Sequence, residues 1–247
     1  MDRPRGQGED LVDEYPENVQ GDPDFNVGGV DRPLPDALQL EQLVSYIEAT
    51  YDPDSPQYLA LLPDRITHAA MLMLGSAVDH TMPGVAYTGE VASRSCPLGE
   101  LYGDDAATWV IALWDGPDSA MEHWFRPEAA AVAQLSGATV LVSDRPDDAV
   151  AFAREQGAET VAVWAFSTGS ERLPRDVDAL ALTFPTKVAD LGVPTFLQVG
   201  TKDELGAKIS DAHEYHSTHY IQTPAEARRR VRDLAEFFRN LGPSRPR

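Results

Sequence analysis

Trp164-Ala165-Phe166-Ser167-Thr168-Gly169 is the stretch whose reading decides the fold. Ahead of it, Glu159 to Val163 reads as a short buried strand with Val161 and Val163 as its apolar residues. At the strand's end a small residue, a bulky one, a serine, one more residue and a glycine follow in order. That is the spacing of a nucleophile elbow, G-x-S-x-G, with Ala165 where the first glycine would stand. A serine at a sharp reversal after a strand takes a strained backbone conformation. Its neighbours two before and two after must then be small to avoid collision. The turn lifts the hydroxyl above the sheet, where a base can reach it. A plain Ser/Thr/Gly turn after a buried strand has the same letters, so the pattern around the stretch has to discriminate.

Outward from it, strands and helices alternate. Thr108 to Trp114 is a continuous apolar run, as expected of a strand covered on both faces. Pro127 to Ser136 is an alanine-rich helix with proline in its first turn and Gly137 just past its end. Ala138 to Val142 is a second buried strand, and Asp147 to Gln156 a second helix closed by Gly157. After the elbow come two short apolar strands, Asp178 to Phe184 and Pro194 to Val199. Thr223-Pro224-Ala225-Glu226 is a capping box with proline at the first helical position, opening a helix that runs to Leu241 and stops at Gly242. This alternation specifies an α/β fold, a mostly parallel sheet with helices on both faces. In such sheets sites form at the carboxyl ends of the strands.

The N-terminal third has a different grammar. Residues 1–32 are rich in Asp, Glu, Gly and Pro without a period, and read as a poorly ordered acidic arm. The remainder, 33–247, reads as one domain, with a helical extension at 33–80 and a core at 85–241. Asp36 and Gln39 resemble a capping box, and Leu40, Leu43, Val44 and Ile47 form one apolar face of a helix ending near Thr50. A second helix is expected from about Pro63 to Val78, with Ile66, Ala69, Ala70, Met73 and Ala77 on one side. Met71, Met73 and Met82 read as core filler, and His68 and His80 as satisfied structural histidines. Gly84 to Ser95 alternates weakly, as a strand or hairpin.

Composition bounds the function. The 247 residues suffice for a sizeable core, and a hydrophobic content of 43% is that of a globular protein. No apolar run approaches the roughly 20 residues of a membrane-spanning helix, and no secretory signal is legible, so a cytoplasmic location is expected. The formal charge of −20 argues against nucleic-acid phosphates and against an anionic membrane surface as partners. With Cys96 as the sole cysteine, neither an internal disulfide nor a thiolate metal cluster can form.

Three strand ends carry the chemistry. Ser167 follows the first, and Gly200-Thr201-Lys202-Asp203 follows the strand at 194–199. Before the capped last helix comes the run Asp211-Ala212-His213-Glu214-Tyr215-His216-Ser217-Thr218-His219-Tyr220. The order Ser, Asp, His resembles that of the α/β-hydrolase superfamily over roughly Val85 to Leu241. The resemblance implies a serine hydrolase acting on a small ester, thioester or amide, of the carboxylesterase type. Ser167 would be the nucleophile, His219 the base, and Asp203 the group that orients the imidazole. His219 is preferred because it lies nearest the last helix and precedes an aromatic residue; His216 and His213 follow in that order. The resemblance further implies no cofactor, a small-molecule acyl substrate, and an oxyanion hole from the backbone of Thr168 plus one donor of the loop after Trp114. There, Asp115 replaces the usual histidine, Pro117 has no N–H to give, and Gly116 or Asp118 is the expected donor. Trp114, Trp164 and Phe166 either shape an apolar acyl pocket or belong to the core. The segment after Gly169 leaves room for only a turn or two of helix.

Two other readings stay open. The altered loop at Asp115 and Pro117 suits a non-catalytic member of the same fold that binds a partner. The spacing His213-x-x-His216-x-x-His219, with Asp211 and Glu214, offers ligands for a divalent metal, although no regular element turns all three histidines to one side.

Overall fold

The computed structural model describes residues 35–74, 91 and 93–242. The acidic arm at 1–32, His80, Met82 and most of the stretch expected as a hairpin from Gly84 lie outside the described residues.

An eight-stranded sheet organises the chain, in the order β1-β2-β4-β3-β5-β6-β7-β8. The strands are β1 (Ser93–Cys96), β2 (Gly99–Tyr102), β3 (Thr108–Leu113), β4 (Thr139–Val142), β5 (Thr160–Phe166), β6 (Ala179–Thr183), β7 (Thr195–Gly200) and β8 (His213–Tyr215). β1 and β2 form a hairpin, and β2 runs antiparallel to β4. From β4 through β3, β5, β6 and β7 to β8 every pair is parallel. The helices are α1 (Asp36–Thr50), α2 (Tyr58–Leu74), α3 (Arg126–Ser136), α4 (Pro146–Glu155) and α5 (Pro224–Leu241). A short helical turn at Asp118–Ala120 and a π-turn at Met121–Phe125 lead directly into α3.

Alternation along the buried strands divides the core in two. Val110, Ala112, Ala162, Trp164, Ala179 and Ala181 point to the face covered by α1, α2, α3 and α5. Trp109, Ile111, Val161, Val163, Leu180 and Leu182 point to the opposite face, beneath Ala149, Val150 and Ala153 of α4. Strands hidden on both faces read as unbroken apolar runs, which is why β3 to β6 were legible.

Several expectations are corrected. Asp36 does not cap α1, because it is already the first helical residue; Pro35 takes the cap position and its carbonyl accepts from Leu38 and Gln39. The Gln39 amide instead donates to the Asp36 carboxylate at 3.5 Å. α2 begins at Tyr58, with Pro63 inside it rather than at its start, because a turn closed by Tyr58 N–H onto the Ser55 carbonyl launches the helix earlier. Ile66, Ala69 and Ala70 are buried as expected, but Met71 is half exposed and fills no core. His68 is exposed, its ring meeting Tyr46 edge-on at 6.3 Å. The elbow strand extends to Phe166, and the histidine-rich run contains a strand, β8, that no periodicity announced. β8 adds only three residues to the sheet edge. Tyr215 holds it there: it is fully buried, donates to Asp233 at 2.7 Å and accepts from Gln198 at 3.0 Å.

At α5, Thr223 Oγ accepts the Glu226 N–H at 3.2 Å, and Pro224 is the first helical residue. The Glu226 carboxylate does not return the bond to Thr223. It accepts from the His216 N–H at 2.7 Å and from Arg229, so the cap also ties down the histidine segment. Deeper in α5, Arg230 is wholly buried. It binds Glu128 of α3 and donates to Gln222 at 2.9 Å.

Candidate active site

Ser167 occupies the turn at the carboxyl end of β5 with φ at +52°, a value a residue bearing a β-carbon adopts only under strain. A 3₁₀ turn, Ser167–Glu171, follows, and Ser170 Oγ donates to the Ser167 carbonyl at 2.7 Å. The flanking small residues have steric reasons. Ala165 is fully buried between Leu113 of β3 and Leu182 of β6. A β-carbon on Gly169 would stand 3.0 Å from the Leu113 carbonyl oxygen.

The hydroxyl of Ser167 meets His219 Nε2 at 2.7 Å. His219 Nδ1 meets the two Asp203 carboxylate oxygens at 2.9 and 3.0 Å. All three residues are buried, with Ser167 8% exposed. Asp203 Oδ1 also accepts the N–H groups of Leu205 at 3.0 Å and Gly206 at 2.8 Å. Burial pushes the Asp203 carboxyl upward. The His219 hydrogen bond and charge, with the Gly206 and Leu205 N–H groups, outweigh it and hold the group below its ordinary value. An ionised carboxylate on Nδ1 fixes the imidazole as the tautomer whose Nε2 accepts from the serine. The three strand ends singled out in the sequence thus converge, and of the three histidines His219 is the one that faces Ser167.

The other two histidines go elsewhere. His213 is exposed on β8 with its ring against Phe196 at 4.5 Å between centroids, and His216 is engaged through its backbone with Glu226. Among the described residues no group of three or more His, Cys, Asp or Glu is arranged to hold a metal ion.

The loop after β3 differs from expectation in an informative way. Asp115 is half exposed and pairs with Arg172 at 2.8 Å, so its charge is balanced. Arg172 also donates to the Trp114 carbonyl at 3.3 Å. Gly116 lies under the Trp114 ring: a β-carbon there would be 2.3 Å from Cζ2. Trp114 Nε1 donates to the Pro117 carbonyl at 3.3 Å, which also accepts the Ala120 and Met121 N–H groups. Thr168, the other expected oxyanion donor, sits directly after Ser167 in the 3₁₀ turn and is half-buried.

Trp114, Trp164 and Phe166 belong to a buried aromatic cluster with Trp124, Phe125 and Phe184. Trp114 and Phe166 lie 5.6 Å apart, Phe125 and Trp164 4.8 Å, and Phe166 and Phe184 5.8 Å, between ring centroids. Phe166 and Phe184 in turn back the His219 ring at 6.5 and 6.2 Å. Trp114 and Phe166 are 5% and 1% exposed and so support the site from behind rather than line a pocket.

The cavity beside His219 has other walls. It measures about 700 Å³ and runs between α1, α2 and the segment 218–221. Leu40, Val44, Tyr58, Leu59, Tyr220 and Ile221 supply its apolar lining. Sequence reading did not connect α1 and α2 to the site by residue, because periodicity identifies a buried face without saying what it faces. In sequence Tyr220 is only the aromatic neighbour of His219. In the fold its ring meets His219 edge-on at 4.6 Å and Trp124 at 5.8 Å.

Among solved structures, the fold is similar to an esterase/lipase from an uncultured bacterium, with a TM-score of 0.51 and 12% identity, covering 84% of this chain and 99% of that one. It is similar to a hyperthermophilic esterase from the archaeon Pyrobaculum calidifontis, with a TM-score of 0.50 and 13% identity over 85% of this chain and 99% of that one. It is also similar to the EstE5-PMSF structure, with a TM-score of 0.52 and 11% identity over 82% and 98% of the two chains. No protein-family model and no curated protein matches the sequence. Likeness at such identities concerns the course of the backbone.

Proposed function

The chain has the α/β-hydrolase fold, and on that premise we propose that it is a serine hydrolase which cleaves a small ester, thioester or amide through an acyl-enzyme on Ser167. One observation carries the reading. A buried serine at φ +52° meets His219 Nε2 at 2.7 Å, and the same ring meets Asp203 at 2.9 Å through its other nitrogen.

Ser167 Oγ bonds to the substrate carbonyl carbon while its proton passes to His219 Nε2. The carbonyl π pair moves onto oxygen, where the Thr168 N–H is one donor. The pair then returns, and the alcohol, thiol or amine leaves with the proton from His219. Water repeats the sequence on the acyl-enzyme: His219 takes its proton, the new carbon–oxygen bond forms, and the acid is released as Ser167 recovers its proton. Asp203 remains ionised throughout and stabilises the imidazolium.

The cavity lined by Leu40, Val44, Tyr58, Leu59, Tyr220 and Ile221 favours an apolar acyl or alcohol group of modest size. Among the described residues no helix is long and apolar enough to cross a membrane.

Covalent labelling by a fluorophosphonate probe tests the reading, with Ser167→Ala as control. Labelling of the wild-type protein that vanishes in the variant is the expected result. A folded wild-type protein that takes up no label overturns the hydrolase reading in favour of a binding role for the same fold.

A further inference from the structure

We propose that Phe184 is a positioning residue for His219, its left-handed backbone turning the ring out of the alternation of β6 and against the imidazole. The inference rests on Ser167 being the nucleophile and His219 its base.

Alternation along β6 predicts the wrong face for Phe184. Successive side chains of a strand point to opposite faces. Ala179 and Ala181 belong to the face of α1, α2, α3 and α5, and Leu180 and Leu182 to the face of α4. Thr183 keeps the alternation, since its Oγ1 accepts the indole N–H of Trp164 at 3.0 Å on the first face. Phe184 should then point toward α4. It is instead fully buried on the same face as Thr183, within the aromatic cluster.

The backbone makes the difference. Phe184 has φ at +48°, and among the described residues only Ser167, at +52°, shares a positive φ while bearing a β-carbon. Phe166 is paired with Thr183, so the two residues are the next positions of neighbouring strands. A bulky side chain in this region is strained, a following proline restricts it further, and such a conformation persists only where the surroundings over-determine it. The anchors are present. The Phe184 N–H donates to the Gln198 carbonyl of β7 at 2.8 Å, and the Pro185 carbonyl accepts the Ala207 N–H at 2.7 Å. Ala207 follows Gly206, whose N–H holds Asp203, so the turn after β6 braces both the base and the acid that orients it.

The hydrogen bonds to Ser167 and Asp203 fix the two nitrogens of His219. They only weakly resist rotation of the imidazole about the line joining those nitrogens. Packing against the ring resists it. Phe184 is one of three aromatic rings there, at 6.2 Å between centroids and inclined by 49°. Phe166 at 6.5 Å and Tyr220 at 4.6 Å are more steeply inclined, at 73° and 84°.

Phe184→Leu keeps an apolar side chain and loses the flat ring. With p-nitrophenyl butyrate as substrate, kcat is expected to fall roughly tenfold with KM within about twofold, because the base is held less closely to its line of proton transfer. The rate of fluorophosphonate labelling should fall in parallel. Phe238→Leu makes the same exchange at a fully buried position of the same core, on α5. It should lower the thermal midpoint comparably and leave kcat within about twofold. The downfield proton resonance of the Nδ1–H that His219 donates to Asp203 should broaden in Phe184→Leu and stay sharp in Phe238→Leu. Phe184→Met, with a flexible unbranched chain, carries the same expectations if the leucine variant does not fold. A kcat within about threefold of wild type, an equal loss in the Phe238 variant, or an unchanged resonance overturns the assignment and leaves Phe184 as core. A folded wild-type protein that takes up no label removes the Ser167 reading and this one with it, whereas labelled proteins of equal kcat remove only the role of Phe184.

Discussion

Arg172 holds the carboxylate of Asp115 at 2.8 Å, although the two residues leave different strands, β5 and β3. An acid beside a developing oxyanion would oppose catalysis unless its charge were balanced, and Arg172 supplies that balance while also binding the Trp114 carbonyl. Both side chains are about 40% exposed (39% and 42%), so solvent screens the pair and the effect is modest. Arg172→Gln is expected to lower kcat/KM for a neutral ester roughly fivefold, about 1 kcal/mol. Adding Asp115→Asn should restore most of the loss, and raising the salt concentration should shrink it. Kinetics of the two single variants and the double variant at low and high salt check this.

Gly206 controls the geometry of Asp203. Its N–H donates to Asp203 Oδ1 at 2.8 Å, and a β-carbon on it would stand 2.4 Å from Oδ2. That oxygen cannot swing away freely, because it also faces His219 Nδ1 at 3.0 Å. Gly206→Ala should therefore displace the carboxylate and lower kcat by roughly tenfold or more without removing any catalytic group. A pH signature accompanies it. The Asp203 carboxyl lies below its ordinary value in the fold, so it contributes stability above an unfolded pKa of about 4 and loses that contribution as pH falls through the folded value. The substitution returns the group toward its ordinary pKa. The gap in thermal midpoint between wild type and variant should narrow as pH is lowered from about 5 to 3, which a melting series reads directly.

Arg230 and Glu128 form an ion pair that is 0% and 4% exposed at the side chains, with Arg230 Nη1 and Glu128 Oε2 lacking a hydrogen-bond partner. Removing one member strands the other charge in the core behind Phe166 and Phe184. Glu128→Ala should cost about 3–5 kcal/mol, which for a chain of this size lowers the thermal midpoint by roughly 10 °C or more. The double change Glu128→Leu with Arg230→Met should recover most of that loss, because two matched apolar side chains need no desolvated charge. Calorimetry on the single and double variants distinguishes a supporting pair from a packing defect.

Much of the fold was legible because its information is local. β3 to β6 are hidden on both faces and spell themselves as apolar runs, and the glycines at 137 and 157 mark helix ends with positive φ, +74° and +88°. The small residues around Ser167 register a collision that any backbone reversal there would produce. β8 was not legible, since three residues at a sheet edge carry no period. The start of α2 is not legible, because a proline signals a boundary in sequence whereas here an upstream turn starts the helix before it.

The site divides along the same line. Ser167 and Asp203 each sit just past a legible strand and could be sought there, and His219 lies in the histidine-rich run before the capped last helix. The roles of Leu40, Val44, Tyr58 and Leu59 depend on which surface α1 and α2 lie against, and the pairing of Asp115 with Arg172 depends on two strand ends being neighbours in the sheet. Trp114 and Phe166 were ambiguous in sequence because a core aromatic and a pocket aromatic have the same composition. Their burial resolves it.

The cavity beside His219 joins the two ends of the described chain: Glu41 on α1 meets Lys202 at 2.8 Å across 161 positions of sequence. During synthesis at about 5–20 residues per second, that separation is a wait of roughly 8–30 s between the two halves of the pocket. For that interval the apolar stripe of α1 at Leu40, Leu43 and Ile47 has left the ribosome while the segment that closes the cavity has not been made. The pocket is therefore among the last features to form on a growing chain. A polypeptide stalled before residue 202 would carry Ser167 on its strand, with neither the base nor a chamber to serve it.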